Sequence, residues 1–182
     1  MTHSFEAADR ERLDEVLDPS FVEALDALSL SDVRERRDRA LAEREYLSYL
    51  RRLLQTRYDL LSAERDRRAA GAESPPLVER LASILSEGGR HASSRGEAVR
   101  TTIPDQDMMR AEERTTAVLG PFDLSRAESL DEAQIVAALD ALEREERSVS
   151  ADRLAVLRVH DQLQEELKRR FREDPASITR EA

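Results

Sequence analysis

Two apolar rows of period seven organise this chain. Val33, Ala40, Leu47, Leu54 and Leu61 form the first, and Ile135, Leu142, Val149, Val156 and Leu163 the second. A sustained seven-residue apolar repeat marks a long helix whose narrow seam must be covered by another helix. The pattern predicts long helices over about 32–69 and 130–173, each roughly 57 to 66 Å long at 1.5 Å per residue. Ser31 is the expected cap of the first. Ser129 and Glu132 form a capping-box pair for the second, and Pro175 lies just beyond its end. Asp18-Pro19 predicts a short helix with Phe21, Val22, Leu25 and Leu28 on one face. In the connecting region 70–129, Ser74-Pro75-Pro76 opens another short helix, bearing Leu77, Val78, Leu81, Ile84 and Leu85 and closed by Gly88-Gly89. A mobile loop is expected over 90–105, then a weaker helix from Asp105 to Leu119, ended by Gly120-Pro121. Residues 1–17 are polar and read as a disordered tail, leaving 18–182 as a single helical domain. The fold class is all-α: two long helices in a coiled-coil-like pair, with short amphipathic helices and mobile loops. Periodicity alone leaves their relative direction open.

A polar stripe accompanies each apolar row at the same phase. The first reads Ser48, Arg51, Gln55, Asp59, and the second, 102 residues on, reads Glu146, Ser150, Arg153, Leu157, Asp161. Steps of three and four keep these side chains on one helix face. Arg51, Tyr58, Glu146, Arg153 and His160 stand where a regular zipper would be apolar. Polar seam residues reduce stability, which points to a function for the register. A solvated helix flank explains one such stripe; its recurrence beside both seams argues for a duplicated half-site. Glu43 and Glu145, Leu61 and Leu163, Glu64 and Glu166, and Arg67-Arg68 and Arg169-Arg170 also correspond, as expected of an internal duplication.

Composition narrows the chemistry. The chain has 182 residues, 37% charged and only 4% aromatic, which suits long exposed helices rather than a large core. Its net charge of −10 argues against direct DNA binding, which rests on neutralising phosphates. Cysteine is absent, and His3, His91 and His160 are scattered, so no metal centre or catalytic triad is expected. With no apolar run of membrane length and no signal-like N-terminus, the expectation is a soluble, cytoplasmic non-enzyme. The stripe fits a guanine nucleotide: arginine donates to O6 and N7, aspartate accepts from N1 and N2, and serine and glutamine suit phosphate or ribose. Arg51 to Asp59, like Arg153 to Asp161, spans an axial rise of about 12 Å, close to the depth of a short base stack. Arg44, Arg52, Arg57, Arg147 and Arg158 are placed to offset phosphate charge.

These residues resemble the RsiG-type anti-sigma factors of sporulating actinobacteria, whose motif is E-x3-S-x2-R-x3-Q-x3-D in two copies. Ser48, Arg51, Gln55 and Asp59 match copy one, with Arg44 at the Glu position; Glu146, Ser150, Arg153 and Asp161 match copy two, with Leu157 at the Gln position. The resemblance implies an antiparallel helix pair that binds an intercalated dimer of cyclic di-GMP, two nucleotides per chain. It further implies that the loaded form sequesters a sigma factor of the WhiG/FliA class and withholds late sporulation genes. Phe21, Leu25, Leu28, Leu81 and Leu85 are then the expected sigma contacts, unless they cover the ends of the helix pair. A ligand-independent coiled-coil adaptor is the alternative.

Overall fold

A computed structural model describes residues 2–71, 103–120 and 129–173, with side chains from Arg10 onward. In chain order the elements are α1 (Thr2–Leu17), 3-10 turns at Pro19–Phe21 and Leu25–Ala27, α2 (Leu30–Ala70), α3 (Asp105–Leu119) and α4 (Glu132–Glu173). No strand occurs among the described residues. The chain divides into two compact units: unit 1 is Met1–Ser48 with Ser150–Ala182, and unit 2 is Tyr49–Val149. Each holds about half of α2 and half of α4.

All ten residues of the period-seven rows are 0% exposed. Val33, Ala40 and Leu47 line the core of unit 1 with Val156 and Leu163, and Leu13, Val16, Phe21 and Tyr46 complete it. Leu54 and Leu61 line unit 2 with Ile135, Leu142 and Val149, beside Leu50, Ala111, Leu119, Ala138 and Leu139. Burial of each leucine contributes about 1.5–3 kcal/mol, which short polar helices could not supply by propensity alone. The paired segments are antiparallel in both units. Arg68, near the end of α2, donates from Nη1 to the Leu130 carbonyl just before α4, at 2.5 Å. Arg170, near the end of α4, donates to the Leu28 carbonyl just before α2, at 2.9 Å, and to the Leu25 carbonyl.

These contacts repeat at the same offset of 102 that relates the two stripes. Glu64 accepts from Arg67 (2.7 and 2.8 Å) and Arg68 (2.7 Å), as Glu166 accepts from Arg169 (2.9 and 2.7 Å) and Arg170 (2.6 Å). Arg12 of α1 donates to Glu43 at 2.9 Å, and Arg114 of α3 to Glu145 at 2.9 Å. The duplicated element is therefore larger than a long helix: α1 with α2 corresponds to α3 with α4.

Several ends differ from the sequence expectation. Residues 2–17 form a helix rather than a disordered tail. Among the described side chains of α1, from Arg10 onward, only Leu13 and Val16 are buried, too few to give a periodic signal. The helix is held by the Arg12–Glu43 pair, by Arg12 over the Tyr46 ring at 5.7 Å, and by an ion pair from Arg39 to Glu15. Asp18 caps as expected, accepting from the Ser20 amide at 2.8 Å. The helix it opens is instead two 3-10 turns, interrupted at Ala24, whose φ of 49° is left-handed. The cap of α2 is Ser29, not Ser31: Ser29 Oγ accepts from the Asp32 amide (3.0 Å), and Asp32 accepts from the Ser29 amide (3.2 Å). The box at α4 is likewise Asp131 with Gln134, at 2.8 Å each way, rather than Ser129 with Glu132. Both boxes again lie 102 apart. α3 has the expected bounds and ends at Gly120, whose φ of 57° favours glycine. The helix expected from Ser74 and the loop expected over 90–105 lie outside the described residues, except for 103–105, where α3 already begins at Asp105.

Candidate functional site

The stripe residues fall in both units, and each half is described by itself. In unit 2, Arg51, Gln55 and Asp59 stand on α2 and Glu146 on α4. Glu146 Oε1 accepts from Arg51 Nη1 at 3.5 Å and from Gln55 Nε2 at 3.4 Å. Two residues of the first stripe thus converge on the first residue of the second. Both bonds are at the outer limit of hydrogen-bond length, so they hold the side chains loosely. Asp59 is half-buried beside them in sequence phase.

In unit 1, Ser48 lies on α2 and Ser150, Arg153, Leu157 and Asp161 on α4. Ser48 Oγ donates back along its helix to the Arg44 carbonyl at 2.8 Å, which leaves its lone pairs available. Asp161 is exposed, with His160 Nδ1 3.3 Å from its Oδ1. Arg153 is half-buried and makes no ion pair among the described residues.

Arg51 and Arg153 share one further property. Each has its Nε buried with no hydrogen-bond partner. A buried N–H without an acceptor costs about 1–3 kcal/mol, which a folded chain tolerates chiefly where function asks for it. Arg37 Nε also lacks hydrogen-bond geometry, but lies 2.7 Å from Asp38 Oδ1.

Around these residues, charge is compensated at the helix ends. The Arg67 bond, and then that of Arg68, hold the Glu64 carboxyl below its ordinary range against the opposing effect of burial. Arg169 and then Arg170 depress Glu166 further, to about 2. On α3, Arg110 and Asp107 form a buried pair at 3.2 Å, and burial lowers the Arg110 value. That pair, like the two arginine clamps, was not assigned a role from sequence. The clamps left a signal there, the repeated Glu-x-x-Arg-Arg; the Asp107–Arg110 pair left only an i, i+3 spacing.

The expected sigma-contact residues fare differently. Phe21 is buried in unit 1 with Arg36 and Arg39 over its ring at 5.6 and 5.4 Å, so it is core rather than an open face. Leu25 and Leu28 are half-buried. Leu81 and Leu85 lie outside the described residues. A groove of about 550 Å³ in unit 1 is lined by Leu30, Leu167 and exposed Phe171 together with Arg34, Lys168 and Arg172. No stripe residue lines it.

Residues 19–85 match a protein family model described as RsiG-like. That segment is RsiG-like. For the segment it covers, this match supports an anti-sigma factor role, which implies a sigma factor as the kind of partner. The RsiG-like segment contains the first stripe whole, from Ser48 to Asp59. The second stripe lies beyond it and is tied to it by the offset of 102 and by the contacts that repeat at that offset. No curated protein matches the chain. Among the described residues, no helix is long and apolar enough to cross a membrane.

Proposed function

We propose that this RsiG-like chain is a cytoplasmic anti-sigma factor armed by cyclic di-GMP. Loaded with two nucleotides, it sequesters a WhiG/FliA-class sigma factor and withholds late sporulation genes. When the messenger falls, the sigma factor is released. The observation that carries this reading is the pair of buried, acceptor-less Nε groups on Arg51 and Arg153, at one phase on two stripes. A guanine O6 or N7, or a phosphate oxygen, is the kind of acceptor they lack. Asp59 and Asp161, eight residues further along each helix, supply the acceptors that the N1 and N2 donors of guanine require.

The switch needs no more than differential affinity. Ligand that binds the sigma-competent arrangement better than the free one shifts the population toward it, and sigma must tighten the ligand by the same factor. The test is isothermal titration of cyclic di-GMP into the protein, with and without a WhiG-class sigma factor. The expected result is two nucleotides per chain and tighter binding with sigma present. Arg51→Ala, Asp59→Ala, Arg153→Ala and Asp161→Ala should each weaken binding roughly ten- to hundredfold, the equivalent of about 1.5–3 kcal/mol for a charge-assisted bond. Unchanged affinity in all four variants would refute the site. Sigma capture indifferent to nucleotide would leave a ligand-independent adaptor.

A further inference from the structure

The end of α4 presents two different faces. Arg170 is fixed to the Leu28 and Leu25 carbonyls, whereas Phe171, turned about 100° from it on the helix, is 52% exposed. Phe171 lines the groove of unit 1 with Leu30 and Leu167. Arg34 and Arg37 of α2 line it too, as do Lys168 and Arg172 of α4, and no carboxylate does.

In a chain of net charge −10, four cations around three apolar side chains need a reason. Packing of the long helices does not supply one. At the corresponding positions of unit 2, 102 residues away, Val136 and Leu139 replace Arg34 and Arg37, while Asp66 and Ala70 replace Lys168 and Arg172. Ala69 replaces Phe171. The duplicated fold therefore forms without the cations and without the ring. Nor are the cations held tightly. Lys168 lies 2.7 Å from Glu165, Arg172 lies 3.9 Å from the same residue, and Arg37 lies 2.7 Å from Asp38. Glu165 and Asp38 are 63% and 62% exposed, and pairs so open to water contribute little, so a partner's carboxylates can replace them.

The lining runs from Leu30 to Arg37 on α2 and from Gln164 to Arg172 on α4. These are axial rises of about 10 and 12 Å, room for about two turns of a third helix. Apolar anchors among cations suit a helix with aliphatic side chains at i, i+3 or i+4 and carboxylates on its flanks. Duplex phosphates would use the cations but leave the three apolar side chains idle. We propose that this groove seats an acidic amphipathic helix of the sigma factor, with Phe171 as its aromatic anchor. This rests on the anti-sigma reading above but not on the stripes, none of whose residues line the groove.

The full-length chain is titrated with a WhiG-class sigma factor, with and without cyclic di-GMP, as wild type, Phe171→Ser and the double variant Lys168→Gln/Arg172→Gln. Each variant should bind sigma at least about tenfold more weakly, and the double variant should show a shallower salt dependence. Cyclic di-GMP binding to the chain alone should not change. The substituted positions are exposed, so thermal midpoints should stay within about 2 °C of the wild type. A benzoylphenylalanine photo-crosslinker in place of Phe171 should capture sigma through a segment with carboxylates at helical spacing. Wild-type affinity in both variants, or capture of a basic segment or of a second copy of this chain, overturns the groove and leaves the anti-sigma reading intact. No sigma binding by the wild type in either nucleotide state overturns both.

Discussion

The duplicated clamp allows a stability prediction with its own internal control. Glu64 and Glu166 make equivalent bonds to equivalent arginines, but they sit in different surroundings. The Glu64 side chain is 0% exposed, and those of Arg67 and Arg68 are 23% and 25% exposed. Glu166 is 11% exposed and Arg169 46%. Removing one partner of a buried ion pair costs about 3–5 kcal/mol, because the other charge is left without compensation. Arg67 and Arg68 reach water over part of their surface, so Glu64→Ala should fall near the lower end, at about 3 kcal/mol. Arg169 is exposed enough to rehydrate, which leaves chiefly the Arg170 bond to be lost on Glu166→Ala, at about 1–2 kcal/mol. Urea unfolding followed by helical circular dichroism gives the totals, and amide hydrogen exchange gives the location. Glu64→Ala should accelerate exchange mainly within 49–149, and Glu166→Ala mainly within 1–48 and 150–173. The reasoning fails if Glu166→Ala destabilises as much as Glu64→Ala, or if each variant loosens the other unit.

Truncating the seam should be equally local: Leu54→Ala, at a position with 0% exposure, is expected to cost about 2–5 kcal/mol, checked by the shift in urea midpoint. Acid should weaken the clamps. Their carboxyl values are lower in the folded chain than the ordinary 4.5, so the stability they contribute is complete above about 4.5 and disappears as pH falls toward the folded value, about 2 for Glu166. Full linkage at Glu166 would be about 3 kcal/mol, reduced to about 1 by solvent around Arg169. Unfolding midpoints should decline between pH 4.5 and 2 in the wild type and decline less in Glu166→Ala; parallel profiles would contradict the assignment.

What was legible in the sequence was whatever repeats at short range. The period-seven rows located the buried seam to the residue, and Gly120 marked the end of α3. The antiparallel direction was not legible in the rows, which fit either direction, and came only from the family resemblance. In the structure it follows from Arg68 reaching Leu130 and Arg170 reaching Leu28. α1 escaped notice because its order depends on pairing with distant residues, Arg12 with Glu43 and Glu15 with Arg39, rather than on its own periodicity. The failed helix after Asp18 turns on one left-handed residue, Ala24, and alanine gives no local warning of that backbone. The stripes were legible as a pattern, whereas the different companions of their arginines needed side-chain positions.

The division into units also orders events in time. Unit 2 is one unbroken stretch of sequence, and each of its contacts joins residues that the ribosome has released by Val149. Unit 1 joins a leading segment to a trailing one, and the Arg170–Leu28 bond closes over 142 positions. Loop closure on that scale is slower than closure of short loops. During synthesis Val33, Ala40 and Leu47 therefore remain without Val156 and Leu163 until almost the whole described chain has emerged. A nascent chain halted before Val156 would present an apolar seam that the finished protein hides, the kind of surface on which chaperones act.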